Sequence, residues 1–429
     1  MIKNSDNNNS IVASKSFPVP TPAGDFREAG PFVQPPDFMK AALLFVFFLF
    51  SSIHDLAAQI HMAPSQRVTR VAIFAPLYLD SAFLSGQLKS QKSLPKLIMP
   101  GVEFVQGAEI AFDTLSLNGR KAEVYIYDSK SGAQPVAWLL RNRKLDSIDL
   151  ILGSVKEPEY SQLAGFAVQR GIPFISVTYP NDGGIKGNPF TVIMNSTLRA
   201  HCKGIFNYIV QRHGTDNIYL VKKKNDDRID NYFKESNLVD GRPLLKIKTI
   251  MLDSSISSYG LRYLVDTTRP IVIIGASLDE IFASKLAEAC YPLHATNPLV
   301  LIGMPNWDGF RSLYQKEVFP DFPIQYTTPH YDEKENAFSS FLTARYFQLY
   351  RAKPGDMAAK GFEAAYYFTT LLLNYGKNFM QHLNENRSAV FHSFNFRPVY
   401  LSKAGPVPDY YENKHLFMMQ ILNGEIIRE

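Results

Sequence analysis

Along residues 151–160 an apolar run gives way to a polar one: Ile151, Leu152, Gly153 and Ser154 are followed by Val155, Lys156, Glu157, Pro158, Glu159 and Tyr160. A strand that ends in Gly and Ser ahead of a helix can hold a ligand, carry a nucleophile or simply stop the strand, and all three are open for Ser154. Catalysis asks for more than a serine. No His and acid partners can be assigned to Ser154 from the sequence, no nucleophile-elbow pattern is present, and neither the dinucleotide glycine fingerprint nor the phosphate-loop pattern occurs. An enzyme is therefore not the expected class, and no cofactor is expected. Cys, His and acidic residues form no compact cluster along the chain, so a zinc site is not expected either. Cys202 and Cys290 are the only cysteines; both fall in apparent helices and read as small buried side chains in place of a disulfide framework. Lys222, Lys223 and Lys224, the densest basic run, close an apolar strand and read as a solvated edge.

The elements that position these residues are legible from periodicity. A chain of 429 residues, 46% hydrophobic and 20% charged, is long enough for two cores. Its net charge of +5 is modest, and no basic and aromatic stripe implies a nucleic-acid groove. From Val68 onward apolar strands alternate with helical spacing. Strands are expected at 71–75, 122–127, 149–152 and 172–177, with helices at 102–116, 133–145 and 160–170 between them. A second series follows residues 190–194: strands at 217–221, 244–248, 270–274 and 299–302, with helices at 199–212, 227–238, 258–266 and 278–290. Helices at 335–350 and 356–375 come next; Phe362, Ala365, Tyr366, Thr369, Leu372 and Leu373 form a packing face on the second. Residues 394–400 and 416–422 read as short terminal strands.

Such alternation predicts an α/β fold of two similar Rossmann-like three-layer lobes with an interlobe cleft. Lobe 1 is expected to span 68–195 plus about 327–380, lobe 2 196–326, and a C-terminal extension 381–429 to pack on the lobes. The segment from Pro76 to Gly101 is either a partial lid or a surface insertion. Near the start, Lys40 precedes the apolar run Ala41–Phe50 and the small residues Ala57 and Ala58, the pattern of a secretory signal at 39–58 that is too short for a comfortable membrane span. Residues 1–38 read as a non-structural leader or as sequence upstream of a start at Met39.

These residues resemble the type I periplasmic binding proteins of the branched-chain amino-acid type. The resemblance is carried by Val71–Leu77, by Gly107–Asp113 with Asn118, Gly119 and Val124–Asp128, by Gly153 and Ser154, by Ile172–Thr178, and by Gly361–Tyr366. It implies ligand contacts after the third strand from Gly153, Ser154 and Tyr160, and after the fourth from Ser176, Val177, Thr178 and Tyr179. As alternatives, Ser154 caps a turn and Thr178 satisfies backbone groups ahead of Pro180. Glu157 and Glu159 would repel an anion if both pointed into the site. In the second lobe the family's amine-binding acid is displaced: Gly275, Ala276 and Ser277 end the strand, and Asp279 and Glu280 suit a helix start. Tyr259 is a candidate wall, with Met304, Trp307 and Asp308 on the opposite rim.

Two readings follow. The first is an extracytoplasmic, periplasmic or secreted, solute-binding protein that captures a small polar or amino-acid-like molecule and presents it to the membrane component of an ABC importer. The second is a cell-envelope interaction or regulatory protein on the same scaffold. No nucleic acid and no stable membrane span after signal removal are expected in either.

Overall fold

The computed structural model describes residues 68–84, 87–89, 94–252, 258–334, 336–402 and 405–429. The leader at 1–38 and the signal at 39–58 lie outside the described residues.

Two seven-stranded sheets organise the chain. The first is built from β1 (Thr69–Ala75), β2 (Ala122–Asp128), β3 (Leu150–Gly153), β4 (Phe174–Ser176) and β5 (Thr191–Ile193). The second uses β6 (Asn217–Lys223), β7 (Ile247–Leu252), β8 (Ile271–Gly275), β9 (Leu299–Ile302) and β10 (Ile324–Thr328). Four late strands complete them: β11 (Phe396–Val399) and β12 (Tyr410–Asn413) join the first sheet, β13 (Phe417–Leu422) and β14 (Glu425–Arg428) the second. In space the first sheet runs β2-β1-β3-β4-β5-β12-β11 and the second β7-β6-β8-β9-β10-β13-β14. The two halves therefore repeat one order. Pairing is parallel from β1 through β3 and β4 to β5 and β12, and from β7 through β6, β8 and β9 to β10; β11, β13 and β14 run antiparallel to their neighbours.

Alternation along β1 shows how the layers form. Val71, Ile73 and Ala75 face a core shared with helices α1 (Met99–Leu117) and α9 (Asp356–Tyr375), whereas Ala72 and Phe74 face α2 (Val136–Arg141) and α3 (Glu159–Arg170). A strand buried on both faces reads as an unbroken apolar run, as parallel sheets require. Around the second sheet lie α4 (Leu198–Arg212), α5 (Arg228–Asn237), α6 (Ser258–Leu264) and α7 (Glu280–His294), with one continuous core. Helix α8 (Ala337–Tyr350) begins at Asn336, whose side chain accepts the Ser339 amide at 2.8 Å. Cys202 and Cys290 are both free thiols buried in the second half.

Among the described residues three crossings join the halves: 194–197 from β5 to α4, the segment from 329 that leaves β10 for α8, and 414–416 from β12 to β13. Between Pro76 and Gly101 the described residues form a short helix at Leu79–Ala82, a hairpin pairing Phe83 with Leu88, and a turn at 96–98 that leads into the first long helix; residues 85–86 and 90–93 lie outside the described residues.

Two departures from the sequence reading have local causes. The strand expected at 244–248 starts at Ile247, because the Asn237 side chain holds Leu245 from both sides, donating to its carbonyl at 2.8 Å and accepting its amide at 2.7 Å. Lys222 is no solvated edge. It is 4% exposed, pairs with Asp227 and lies 3.7 Å from Asp230. A charge this far from water needs such partners.

Candidate functional site

In each sheet the chain reverses its strand order between its first and third strands, β1 and β3 in one half, β6 and β8 in the other. Helices after those strands leave to opposite faces in the first half, opening a crevice beyond the carboxyl ends of the strands. Ligands of open α/β sheets bind at such points. Each predicted residue can be placed against this geometry.

At the first crevice, Ser154 donates its amide to the Phe74 carbonyl at 2.8 Å, and its Oγ lies 3.1 Å from Thr178 Oγ1. Two hydroxyls joined by one hydrogen bond keep a second O–H and several lone pairs for a ligand, so the pairing leaves binding capacity. Thr178 and Tyr179 are half-buried, and Asn195, which the sequence reading did not single out, donates from Nδ2 to the Thr178 carbonyl at 2.8 Å. Gly153 has a packing reason: a Cβ there would stand 2.8 Å from the Phe174 ring. The side chains of Tyr160, Ser176 and Val177 are buried inside the first half, and that of Ser154 is 5% exposed. Tyr160 packs edge-on against Tyr179, ring centroids 5.1 Å apart, and burial drives its phenol well above its ordinary pKa. The anticipated repulsion is answered locally. Glu159 pairs with Lys130 at 2.8 Å, and Glu157 accepts the Ser161 hydroxyl at 2.8 Å.

Asp128 is the residue the sequence reading undervalued. Its carboxylate accepts the amides of Leu77, Tyr78 and Leu79 at 3.0, 3.1 and 2.8 Å, filling the concave turn after β1. Three convergent amides form an anion nest. In this chain the anion is built in, which fixes the turn.

The second crevice is charged differently. Lys223 bridges it to Asp279 at 3.1 Å, while Asp279 also caps α7 by accepting the Phe282 amide at 2.8 Å. That amide, reinforced by Lys223, holds the Asp279 carboxyl below its ordinary pKa. Asp279 is thus committed to the helix, and Lys223 presents the positive end. Ser277 is buried, and its carbonyl accepts the Trp307 indole N–H at 2.9 Å. Trp307 is not on a rim. It is fully buried, and Cβ atoms at Gly275 and Gly303 would come within 2.4 and 2.2 Å of its ring, so both glycines exist to admit it. Met304 is buried too, whereas Asp308 is exposed and within electrostatic range of Lys360 and Asp356 on α9, where the two halves approach. Tyr259 lies in the first turn of α6, and its side chain is outside the described residues. A separate cavity of about 290 Å³, lined by Thr215, Asn217, Lys248 and Arg269 among others, opens at the amino ends of β6, β7 and β8, away from both crevices.

The fold also assembles what the linear spacing hid: His330, Glu363 and His392 bring donor atoms within 4.8 Å of one another. Among the described residues no helix is long and apolar enough to cross a membrane.

Comparison with known proteins supports this geometry. A family model described as periplasmic binding protein matches residues 98–227, from the start of α1 to the turn after β6. No curated protein matches the chain. Among solved structures it is similar to a Rhodospirillum rubrum protein assigned to branched-chain amino acid ABC transport, at 13% identity and TM-score 0.61 over 84% of this chain and 100% of that one. A branched chain amino acid ABC transporter periplasmic ligand-binding protein of Burkholderia xenovorans LB400 gives 13% identity and TM-score 0.53, over 82% and 90%. An ABC transporter substrate-binding protein of Desulfitobacterium hafniense, in complex with Leu, gives 13% and 0.52 over 84% and 99%. At these identities the likeness is one of fold. The chain has the two-lobed fold of type I periplasmic binding proteins, as its sequence motifs led one to expect.

Proposed function

We propose that this chain is an extracytoplasmic solute-binding protein that captures a small polar or amino-acid-like molecule between its two halves and delivers it to an ABC importer. One observation carries the reading: both sheets place a strand-order reversal at their carboxyl ends, and each reversal holds polar groups suited to reversible contact. In the first half these are Ser154, Thr178, Asn195 and Tyr179, with Gly153 shaping the turn; in the second, Lys223 beside the Ser277 turn. A carboxylate suits this set. The hydroxyls donate to it, and Lys223 supplies charge from the other side. The D. hafniense relative was solved with leucine, which makes amino acids and other small carboxylates the first molecules to try. Closure of the halves on the solute needs no chemical step. The apolar run at 39–58 supports export.

Calorimetry of the purified chain against amino acids, small carboxylates and other polar metabolites tests the reading. The expected result is one-site binding that weakens about tenfold in Ser154→Ala and in Thr178→Ala, each losing roughly 1–2 kcal/mol of hydrogen bonding, with the thermal midpoint nearly unchanged. A folded protein that binds nothing in the panel would overturn it.

A second reading, recognition of an envelope protein partner, draws on the outer edge of the second half. There β7 is an edge strand with Met251 exposed, flanked by exposed Leu238, Val239 and Leu244. Loss of partner capture on Met251→Lys, with solute binding absent, would favour it.

A further inference from the structure

Glu363 lies in the middle of α9 with its side chain wholly removed from solvent. A buried carboxylate is costly unless positive charge meets it. Its ion-pair partners among the described residues are two histidines from other parts of the chain. His330 Nδ1 stands 3.1 Å from Oε2, and His392 Nε2 stands 3.5 Å from Oε1. Phe391, Phe394 and Phe417 pack against the imidazoles and keep the centre dry.

The His392 side of the cluster is unfinished. Its Nδ1 is 3.3 Å from the Ser393 carbonyl, an oxygen that can only accept, so Nδ1 carries the hydrogen and Nε2 is the free donor atom facing the carboxylate. Nε2 and Oε1 are both buried, and neither has a hydrogen-bond partner. A proton shared between them would draw an imidazolium and a carboxylate to about 2.7–2.9 Å. They stand apart at 3.5 Å. Each imidazole faces a different oxygen of the carboxylate, and the donor atoms of the three residues lie within 4.8 Å of one another, a spacing that must close towards the roughly 3.3 Å edge of a tetrahedral site when an ion binds.

We propose that His330, Glu363 and His392 form a binding site for a divalent ion of the zinc class. Two imidazoles and a carboxylate are the donor set such ions take, and the Ser393 carbonyl orients His392 as an outer partner orients a metal-bound imidazole. His330 reaches the surface, which provides an entry path and leaves a fourth position to water or another small ligand. The site lies at the hinge. His330 belongs to the crossing that leaves β10, Glu363 to a helix of the first half, and His392 to the segment entering β11. A bound ion ties that crossing to the first half and stiffens the joint about which the halves would move. The site stands independently of which solute, if any, the crevices bind.

The test uses the full chain, stripped with chelator, desalted and then titrated with zinc chloride; metal content is measured after a second desalting. One ion per chain is expected, with a higher thermal midpoint for the loaded form and, with cobalt(II) in place of zinc, the visible bands of a four-coordinate site. His330→Ala and His392→Gln each lower zinc affinity roughly tenfold or more. Stripped His330→Ala melts below stripped wild type, because it takes a hydrogen bond from the buried Glu363 carboxylate, so lost ligation is read separately, as loss of the zinc-dependent rise in thermal midpoint in a variant that still melts cooperatively. The proposal is overturned if stripped, cooperatively melting wild type retains no stoichiometric zinc, or if both variants retain it as tightly as wild type.

Discussion

His201 shows what one buried side chain contributes and when. It is enclosed between α4 and β10, its Nδ1 2.8 Å from Thr327 Oγ1, and burial, with Lys414 adding to it, pushes its pKa down to about 3. The folded state therefore holds the imidazole neutral while the unfolded chain protonates it near pH 6.5. Its contribution is complete above that value and is lost as pH falls from 6.5 towards 3. At pH 5 the loss amounts to about 2 kcal/mol. Urea unfolding at pH 7.5 and pH 5 should show His201→Gln less acid-sensitive than wild type by about that amount. An equal pH response in both proteins would mean that His201 is protonated in the fold.

Elements meet most closely where α1 crosses α9. A Cβ at Gly107 would lie 1.9 Å from the Ala358 carbonyl oxygen, and one at Gly361 2.0 Å from that of Phe104, so the two helices touch backbone to backbone. No rotamer relieves such a clash. Gly361→Ala must push the helices apart and should cost roughly 1–3 kcal/mol or more, read as a lower thermal midpoint. Gly165 in α3 makes the contrast: a Cβ there meets nothing within 4 Å. Gly165→Ala should stabilise by up to about 1 kcal/mol, because it reduces the freedom of the unfolded chain without touching the folded one. Should Gly361→Ala be as stable as Gly165→Ala, the close crossing would be wrong.

At the scale of the molecule, the three crossings decide how the halves can move. Two of them are stitched together: Glu412 accepts the Thr197 amide at 2.6 Å and pairs with Lys414, and Ser196 donates to the Asn413 carbonyl at 2.6 Å. Closure about such a joint is a rotation of two rigid cores. A solute that favours the closed form should reduce the radius of gyration in small-angle scattering, and at a hundredfold excess over its Kd should raise stability by about 2.7 kcal/mol. Binding with no change in scattering would mean a crevice that is already closed. Zinc at the hinge should alter the scattering response to solute, but not the Ser154 and Thr178 contacts.

What the sequence determined by itself is the alternation of two α/β halves, because apolar period and helix caps are local: β1, α3, β9 and α9 lie within a few residues of where spacing puts them. It also singled out the Gly153–Ser154 turn, since strand ends and helix starts are written in adjacent residues. Tertiary structure decided the rest. Strand β12, Tyr410–Asn413, has no apolar signature, and its Glu412 and Asn413 are buried only because a crossing needs their hydrogen bonds. Trp307 read as part of the opposite rim, but the fold seats it in the core, where Gly275 from another strand and nearby Gly303 make room for it. Glu363 carries no signal of its own on a packing helix, and its histidines come from a crossing and a late segment. Local patterning records which residues want burial; which buried groups face one another depends on how the chain returns.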